Sequence, residues 1–170
     1  LLRLTGKYVV AVNDDKIPAE YSFMPGQRYL RDFKDIRQMK RSFDVAILLD
    51  CSTLERVGVV GDVLKRSKVV VNIDHHISNN KFGDINWVDP RASSTSEMIF
   101  KLYKAEGCAF DETSALLLYV GILTDTGSFR YSNTSSLCHR MAAELLKFGI
   151  NAQRVYSLLY EMNSYSDMMA

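Results

Sequence analysis

Two stretches of aliphatic and β-branched residues, 44–49 (D-V-A-I-L-L) and 69–73 (V-V-V-N-I), each run directly into an aspartate, Asp50 and Asp74. Continuous apolar runs of this length, rather than alternating ones, predict strands buried on both faces, the habit of parallel sheets. Parallel neighbours need a crossover of about a dozen residues or more. Residues 54–68 lie between the runs, and Val57, Val60, Val63 and Leu64 recur there at helical spacing. A βαβ unit follows, and with it an α/β fold: a parallel, Rossmann-like sheet flanked by helices.

The rest of the chain fits that class. Residues 1–4 read as the tail of a helix stopped by Gly6, and residues 7–13 (K-Y-V-V-A-V-N) as a strand ending in the turn-like Asp14-Asp15. Helices are predicted over 93–106, with Met98, Ile99, Leu102 and Tyr103 inward, over the mostly apolar 112–123, over 136–148 with a stop at Gly149, and over 151–162.

At 170 residues, 47% of them hydrophobic, the chain has the size of one domain able to bury a core. Lys plus Arg number 21 against 20 Asp plus Glu, for a net charge of +1, so no bulk basic field exists to track a long nucleic acid. An anionic substrate must be held locally. The three cysteines, Cys51, Cys108 and Cys138, are odd in number and widely spaced, arguing against a disulfide framework or a zinc ribbon and for a reducing cytoplasm. No apolar run approaches the roughly 18 residues of a membrane span.

The chemistry gathers where strands end. Asp50 and Asp74 stand at the carboxyl ends of adjacent strands, the edge at which open α/β sheets bind ligands; a lone strand-end Asp equally suits a helix N-cap. Asp74 is followed by His75 and His76, two of the three histidines, and a carboxylate with imidazoles suits Mn²⁺, Fe²⁺ or Zn²⁺ better than Ca²⁺. His139, beside Cys138 in a helical stretch, reads as structural. Asp125 lies in a turn rich in Gly, Thr and Ser (T-D-T-G-S-F-R), where it is placed either for a metal or for its own turn amides, and Arg130 adds a planar fork suited to phosphate. Ser93, Ser94, Thr95 and Ser96 precede a helix, as an anion site or as a simple N-cap with Glu97.

Together these segments resemble the DHH phosphoesterase superfamily, named for the triplet that stands here as Asp74-His75-His76. L-L-D-C around Asp50, V-N-I-D-H-H, W-V-D-P-R-A-S-S-T-S-E-M-I-F and G-I-L-T-D-T-G-S-F-R-Y occur in the family's order and spacing. The last two look most like the nanoRNase and pAp-phosphatase branch, which acts on very short substrates. The resemblance implies Asp50, His75 and Asp125 as manganese ligands, two ions in the complete protein, and His76 facing the scissile phosphate. Asp74 would orient the histidine pair, and Arg130, Ser93 and Thr95 would contact substrate, a short oligonucleotide or a nucleotide bisphosphate. It also implies a cytoplasmic homodimer. The family's first motif, H-x-x-x-D-x-D, has no match in residues 1–13, and its smaller C-terminal domain is expected to lie outside this sequence. Residues 1–150 are therefore expected to be the catalytic domain short of an N-terminal segment, and 151–170 the start of an interdomain helix.

Two-ion hydrolysis with in-line attack on phosphorus is the implied mechanism. Other enzymes share the scaffold: a RecJ-type exonuclease, an exopolyphosphatase, a family II pyrophosphatase or a cyclic-dinucleotide phosphodiesterase. A non-catalytic nucleotide-binding or dimerisation module is the alternative from outside enzymology.

Overall fold

A computed structural model describes residues 2–13, 15–38 and 41–161. Leu1, Asp14 and Met162, which border three of the expected elements, lie outside the described residues, as does the rest of 162–170.

The chain opens with a tight 3₁₀ turn, Leu2–Thr5, and turns at Gly6, whose φ of +74° is the left-handed conformation glycine adopts freely. Of the strand expected over 7–13, only β1 (Ala11–Val12) is paired, in parallel with β2 (Leu30–Arg31). Helix α1 (Phe33–Gln38) leads into the main sheet of β3 (Phe43–Leu49), β4 (Ser67–Asp74) and β5 (Ile85–Val88). The three are parallel in the order β3-β4-β5, with Val45 beside Val69, Leu49 beside Ile73 and Asp74 beside Val88. All three carboxyl ends therefore meet at one edge.

The crossover departs from the single helix expected over 54–68. It is a 3₁₀ stretch, Leu54–Val60, followed by one turn of helix, α2 (Gly61–Leu64), and Ser67 already pairs with Phe43 as the first residue of β4. Gly58 is the reason: at φ +56°, ψ −142° it sits in a region open essentially to glycine, and helical geometry breaks there. The surrounding valines, poor helix formers, do not restore it.

Burial on both faces also fails for β3. Val45, Ile47 and Leu49 are 48%, 41% and 52% exposed. Lateral neighbours in a sheet share a face, and on that face Ile73 is buried with Ala92 and Met98, flanked by Val71, Trp87 and Ile99. The covering helix thus lies over β4 and β5, and the apolar face continues uncovered onto the edge strand.

That helix is α3 (Thr95–Ala105), capped by Ser94, whose Oγ accepts the Glu97 N–H. Helix α4 (Glu112–Asp125) opens with a reciprocal cap between Asp111 and Ser114, α5 (Ser136–Leu146) is capped by Ser135, and α6 (Ala152–Tyr156) by Asn151 before widening into a π turn, Ser157–Glu161. Phe100, Leu118, Ile122, Met141, Leu145 and Leu159 form their common core. A β-carbon on Gly121 would overlap Ser96 Oγ, so α3 and α4 cross at a contact only glycine permits. This packing fixes the end of α4, and with it Asp125, against the sheet edge.

Candidate metal centre

Each strand end supplies one part of the site. Asp50, the first residue after β3, takes φ +59°, a conformation aspartate tolerates better than most side chains at a cost of about 1 kcal/mol or more. Its N–H donates to Ile73 O (3.0 Å) and its Oδ1 accepts the Thr95 hydroxyl (2.9 Å), so β4 and α3 hold it from two sides.

Asp74, the last residue of β4, is fully buried. Oδ1 accepts the His75 N–H at 2.9 Å and the His76 Nδ1–H at 2.7 Å; Oδ2 accepts Asn79 Nδ2 at 2.6 Å. Burial works against its charge, but the hydrogen bonds from His76 and Asn79 prevail and hold its carboxyl below the usual range. Asp74 therefore orients one imidazole of the pair. The ring of His75 is oriented from the β5 loop instead, where Nδ1 meets Ala92 O at 3.3 Å.

With Nδ1–H given to a carbonyl, neutral His75 turns the bare Nε2 toward two carboxylates, Asp50 Oδ1 at 3.4 Å and Asp125 Oδ2 at 3.5 Å. A lone pair facing two anions calls for a cation between them. The Asp50 carboxylate accordingly raises the His75 pKa, and His75 and Thr95 lower that of Asp50 against burial. Asp125 goes the other way: burial, then the charge of Asp50, push it up to about 6. Its place as the last residue of α4 adds the negative end of the helix dipole. Metal–ligand bonds near 2.0–2.2 Å bring neighbouring donor atoms to roughly 3–3.5 Å of one another, the spacing of His75 Nε2 from each of the two carboxylates. The group whose donor atoms all lie within 4.8 Å of one another is Asp50, His75 and His76, although His76 Nδ1 is engaged by Asp74; Asp125 adjoins that group through His75. Imidazole nitrogens with carboxylate oxygens suit a first-row divalent ion.

Beyond Asp125 the chain makes a turn with three successive left-handed residues, Gly127, Ser128 and Phe129, at φ +54°, +59° and +64°. Buried Thr126 holds it: its hydroxyl donates to Ile122 O and accepts the Phe129 N–H, and its carbonyl accepts the Arg130 and Tyr131 N–H groups. The Tyr131 ring lies so close over Gly127 that any β-carbon there would collide with it. Arg130 is exposed, its Nε donating to Gly127 O at 2.8 Å, and no contact among the described residues joins it to Asp50 or His75.

Of the helix-start residues, Ser93 gives both its N–H and its hydroxyl to Glu97 Oε2 (2.9 and 2.7 Å), while Thr95 supports Asp50. Sequence reasoning named Glu97 only as a capping partner and passed over three further residues of this neighbourhood, Asn72, Asn79 and Asn133. Glu97 is buried and paired with Lys101 at 2.7 Å. Asn133 donates to both Ser93 O and Asp125 O, stitching the α3 entry to the α4 exit. Asn72 and Asn79 lie between the β3 and β4 loops. Only Asn72 carried a signal, as a polar residue inside an apolar run.

Among the described residues no helix is long and apolar enough to cross a membrane. Over 123 residues the chain is 32% identical to the bifunctional oligoribonuclease and PAP phosphatase NrnA of Bacillus subtilis (strain 168), covering 71% of this chain and 39% of the relative. The protein of the same name from Thermus thermophilus is 40% identical over 101 residues, 59% of this chain and 31% of the relative. A crystal structure of an exopolyphosphatase-related protein from Bacteroides fragilis superposes with a TM-score of 0.87 at 27% identity, covering 95% of this chain and 49% of that one. The chain thus spans less than half the length of each. Residues 4–122 match the DHH family, N-terminal domain, and on that match the chain belongs to the DHH family.

Proposed function

We propose that this chain forms the metal-binding part of a phosphoester hydrolase acting on short oligonucleotides or on 3′-phosphoadenosine 5′-phosphate. The observation that carries the proposal is the convergence of His75 Nε2 with the carboxylates of Asp50 and Asp125, at 3.4 and 3.5 Å, at the ligand-binding edge of a parallel sheet. Membership of a phosphoesterase family and likeness to proteins named oligoribonuclease and PAP phosphatase support the reaction class and the substrates.

In this proposal Asp50, His75 and Asp125 would hold manganese. A bound divalent ion supplies Lewis acidity toward a phosphoryl oxygen and the attacking water. Asp74 accepts the His76 Nδ1–H, so Nε2 is the open nitrogen and the one placed to meet a phosphate. The exposed Arg130 fork, fixed at Nε, offers its terminal N–H groups to a phosphate. A phosphate contact from Ser93 or Thr95 requires its hydroxyl to leave Glu97 or Asp50. On the same proposal residues 1–150 are the catalytic unit, the helical residues 152–161 begin the way out of it, and the whole protein works as a cytoplasmic homodimer.

The likeness to the exopolyphosphatase-related structure favours inorganic polyphosphate as a second substrate class. The test is Mn²⁺-dependent release of inorganic phosphate from 3′-phosphoadenosine 5′-phosphate and from polyphosphate, and of mononucleotides from a dinucleotide bearing a terminal phosphate, with Asp125→Asn as control. Turnover of either nucleotide substrate that vanishes in the control supports the proposal; turnover of polyphosphate alone supports the second class. Metal binding without turnover of any of them, in this chain and in a longer form carrying its flanking sequence, points to a binding module.

A further inference from the structure

The loops after β3 and β4 carry all the candidate ligands except Asp125, and one side chain joins them. Asn79 Nδ2 lies 2.6 Å from Asp74 Oδ2, 2.7 Å from Asn72 Oδ1 and 3.1 Å from Cys51 O. All three partners are acceptors, so the amide nitrogen, with two hydrogens to share among them, must be the end that points inward. Asn72, fully buried two residues before Asp74 on the same face of β4, completes the clasp by donating to Cys51 O at 2.9 Å. The Asn79 oxygen accepts the Lys81 N–H at 2.7 Å and the Asn79 N–H reaches His76 O at 3.2 Å, so the side chain is fixed in its own loop as well. A backbone bond from Asn80 N to Ser52 O (3.1 Å) runs alongside.

We infer that Asn79 is the positioning residue of this site: by holding Asp74 Oδ2 and the Cys51 carbonyl together, it directs Asp74 Oδ1 at His76 and keeps Asp50 at its distance from His75. Cys51 O belongs to the peptide that leaves Asp50, whose left-handed backbone needs an external hold. Asp74 Oδ2, fully buried, has Asn79 as its hydrogen-bond donor among the described residues. Remove that donor, and the carboxylate must rotate or admit water to stay satisfied, and either response loosens the bond to His76 Nδ1. Asparagine also differs here from its isostere. An aspartate at 79 would set a carboxylate against three acceptors and repel Asp74.

The inference rests on the metal reading only for what the positioned groups do, and its first test needs no metal. In metal-free protein, long-range ¹H–¹⁵N spectra of the imidazoles report the His76 tautomer and the exchange rate of its Nδ1 proton. The expected result is a protected Nδ1–H in the unmodified chain and exchange at least tenfold faster in Asn79→Ala, with backbone spectra otherwise retained. An unchanged tautomer and exchange rate in Asn79→Ala overturns the inference. Should that variant fail to fold, Asn79→Ser, which keeps one donor, is read by the same criterion. The second test is Mn²⁺ affinity by electron paramagnetic resonance. Loss of a residue that orients ligands weakens binding by roughly 10- to 100-fold, so both Asn79→Ala and Asn79→Asp are expected to bind more weakly. Added negative charge alone would make Asn79→Asp bind more tightly, and that outcome overturns the inference. Absence of Mn²⁺ binding in the unmodified chain counts against the proposed function, while the proton-exchange result still decides the role of Asn79.

Discussion

The end of β4 and the end of α4 each present an aspartate to the same site, and the two carboxylates behave in opposite ways. Asp74 is fully buried yet held below the usual carboxyl range, because His75, His76 and Asn79 all donate to it. Asp125, more exposed to solvent, is nevertheless pushed up to about 6, by burial first and by the facing charge of Asp50 second. Burial opposes the charge of both acids; the donors around Asp74 outweigh it, and Asp125 has no comparable set among the described residues. The first carboxylate is a finished structural part. The second carries charge that the protein leaves unmet, and a metal ion is the natural complement.

This contrast can be broken by substitution. Asp125→Asn removes a proposed ligand and is expected to lower Mn²⁺ affinity by more than about a hundredfold, beyond the range seen for residues that only orient ligands; equal affinity in isothermal titration would end the metal reading. In metal-free protein at pH 8, however, the same change relieves repulsion with Asp50 and is expected to raise the melting temperature. Asp74→Asn should act in the reverse sense, lowering stability by about 1–3 kcal/mol because an amide NH₂ then confronts buried donors. Chemical denaturation of both variants in a chelator reads the two signs directly.

The pH dependence sharpens the same point. The folded pKa of Asp125, about 6, lies above its ordinary 3.8. The folded state thus binds that proton more tightly, and the associated stability is fully present below pH 3.8 and lost as pH rises through about 6. Metal-free protein should lose stability relative to Asp125→Asn over this window, and the melting-point increase produced by Mn²⁺ should grow from pH 5 to pH 7.5 as the competing proton leaves. A metal-induced shift independent of pH would mean that Asp125 does not take part. The smallest effect is expected from Thr95→Val, which deletes one donor to Asp50: a loss of about 1 kcal/mol in stability by denaturant titration and a few-fold in metal affinity.

Much of this was legible in the chain, for physical reasons that also mark the limits. The apolar runs before Asp50 and Asp74 located β3 and β4 to within two residues, because a buried parallel strand needs an unbroken run of such side chains. The structure also brings Asp50, Asp74, His75, His76 and Asp125 to one edge, since parallel order places every strand's carboxyl end together. The crossover helix was misread because Val57, Val60, Val63 and Leu64 keep helical spacing across Gly58, and periodicity is blind to a single backbone angle. Burial of β3 was misread because a run of valine and leucine looks the same in the centre of a sheet and at its rim. Asn79 and Asn133 were invisible for a different cause. A turn asparagine is common, and its partners here are carbonyls and carboxylates as far as 40 residues away in sequence.

The rim itself has a consequence for how the molecule behaves in company. Among the described residues β3 pairs on one side only, and Val45, Ile47 and Leu49 stand open to water along it. An unpaired backbone edge bordered by oily side chains is a template onto which another extended chain can zip. An extended segment of a longer form of this chain, or of a second copy, can therefore pair there through an attraction that has nothing to do with the ionic chemistry a few residues away. A lysine at position 47 would act as a gatekeeper, turning the template off while leaving the carboxylates at the strand ends in place.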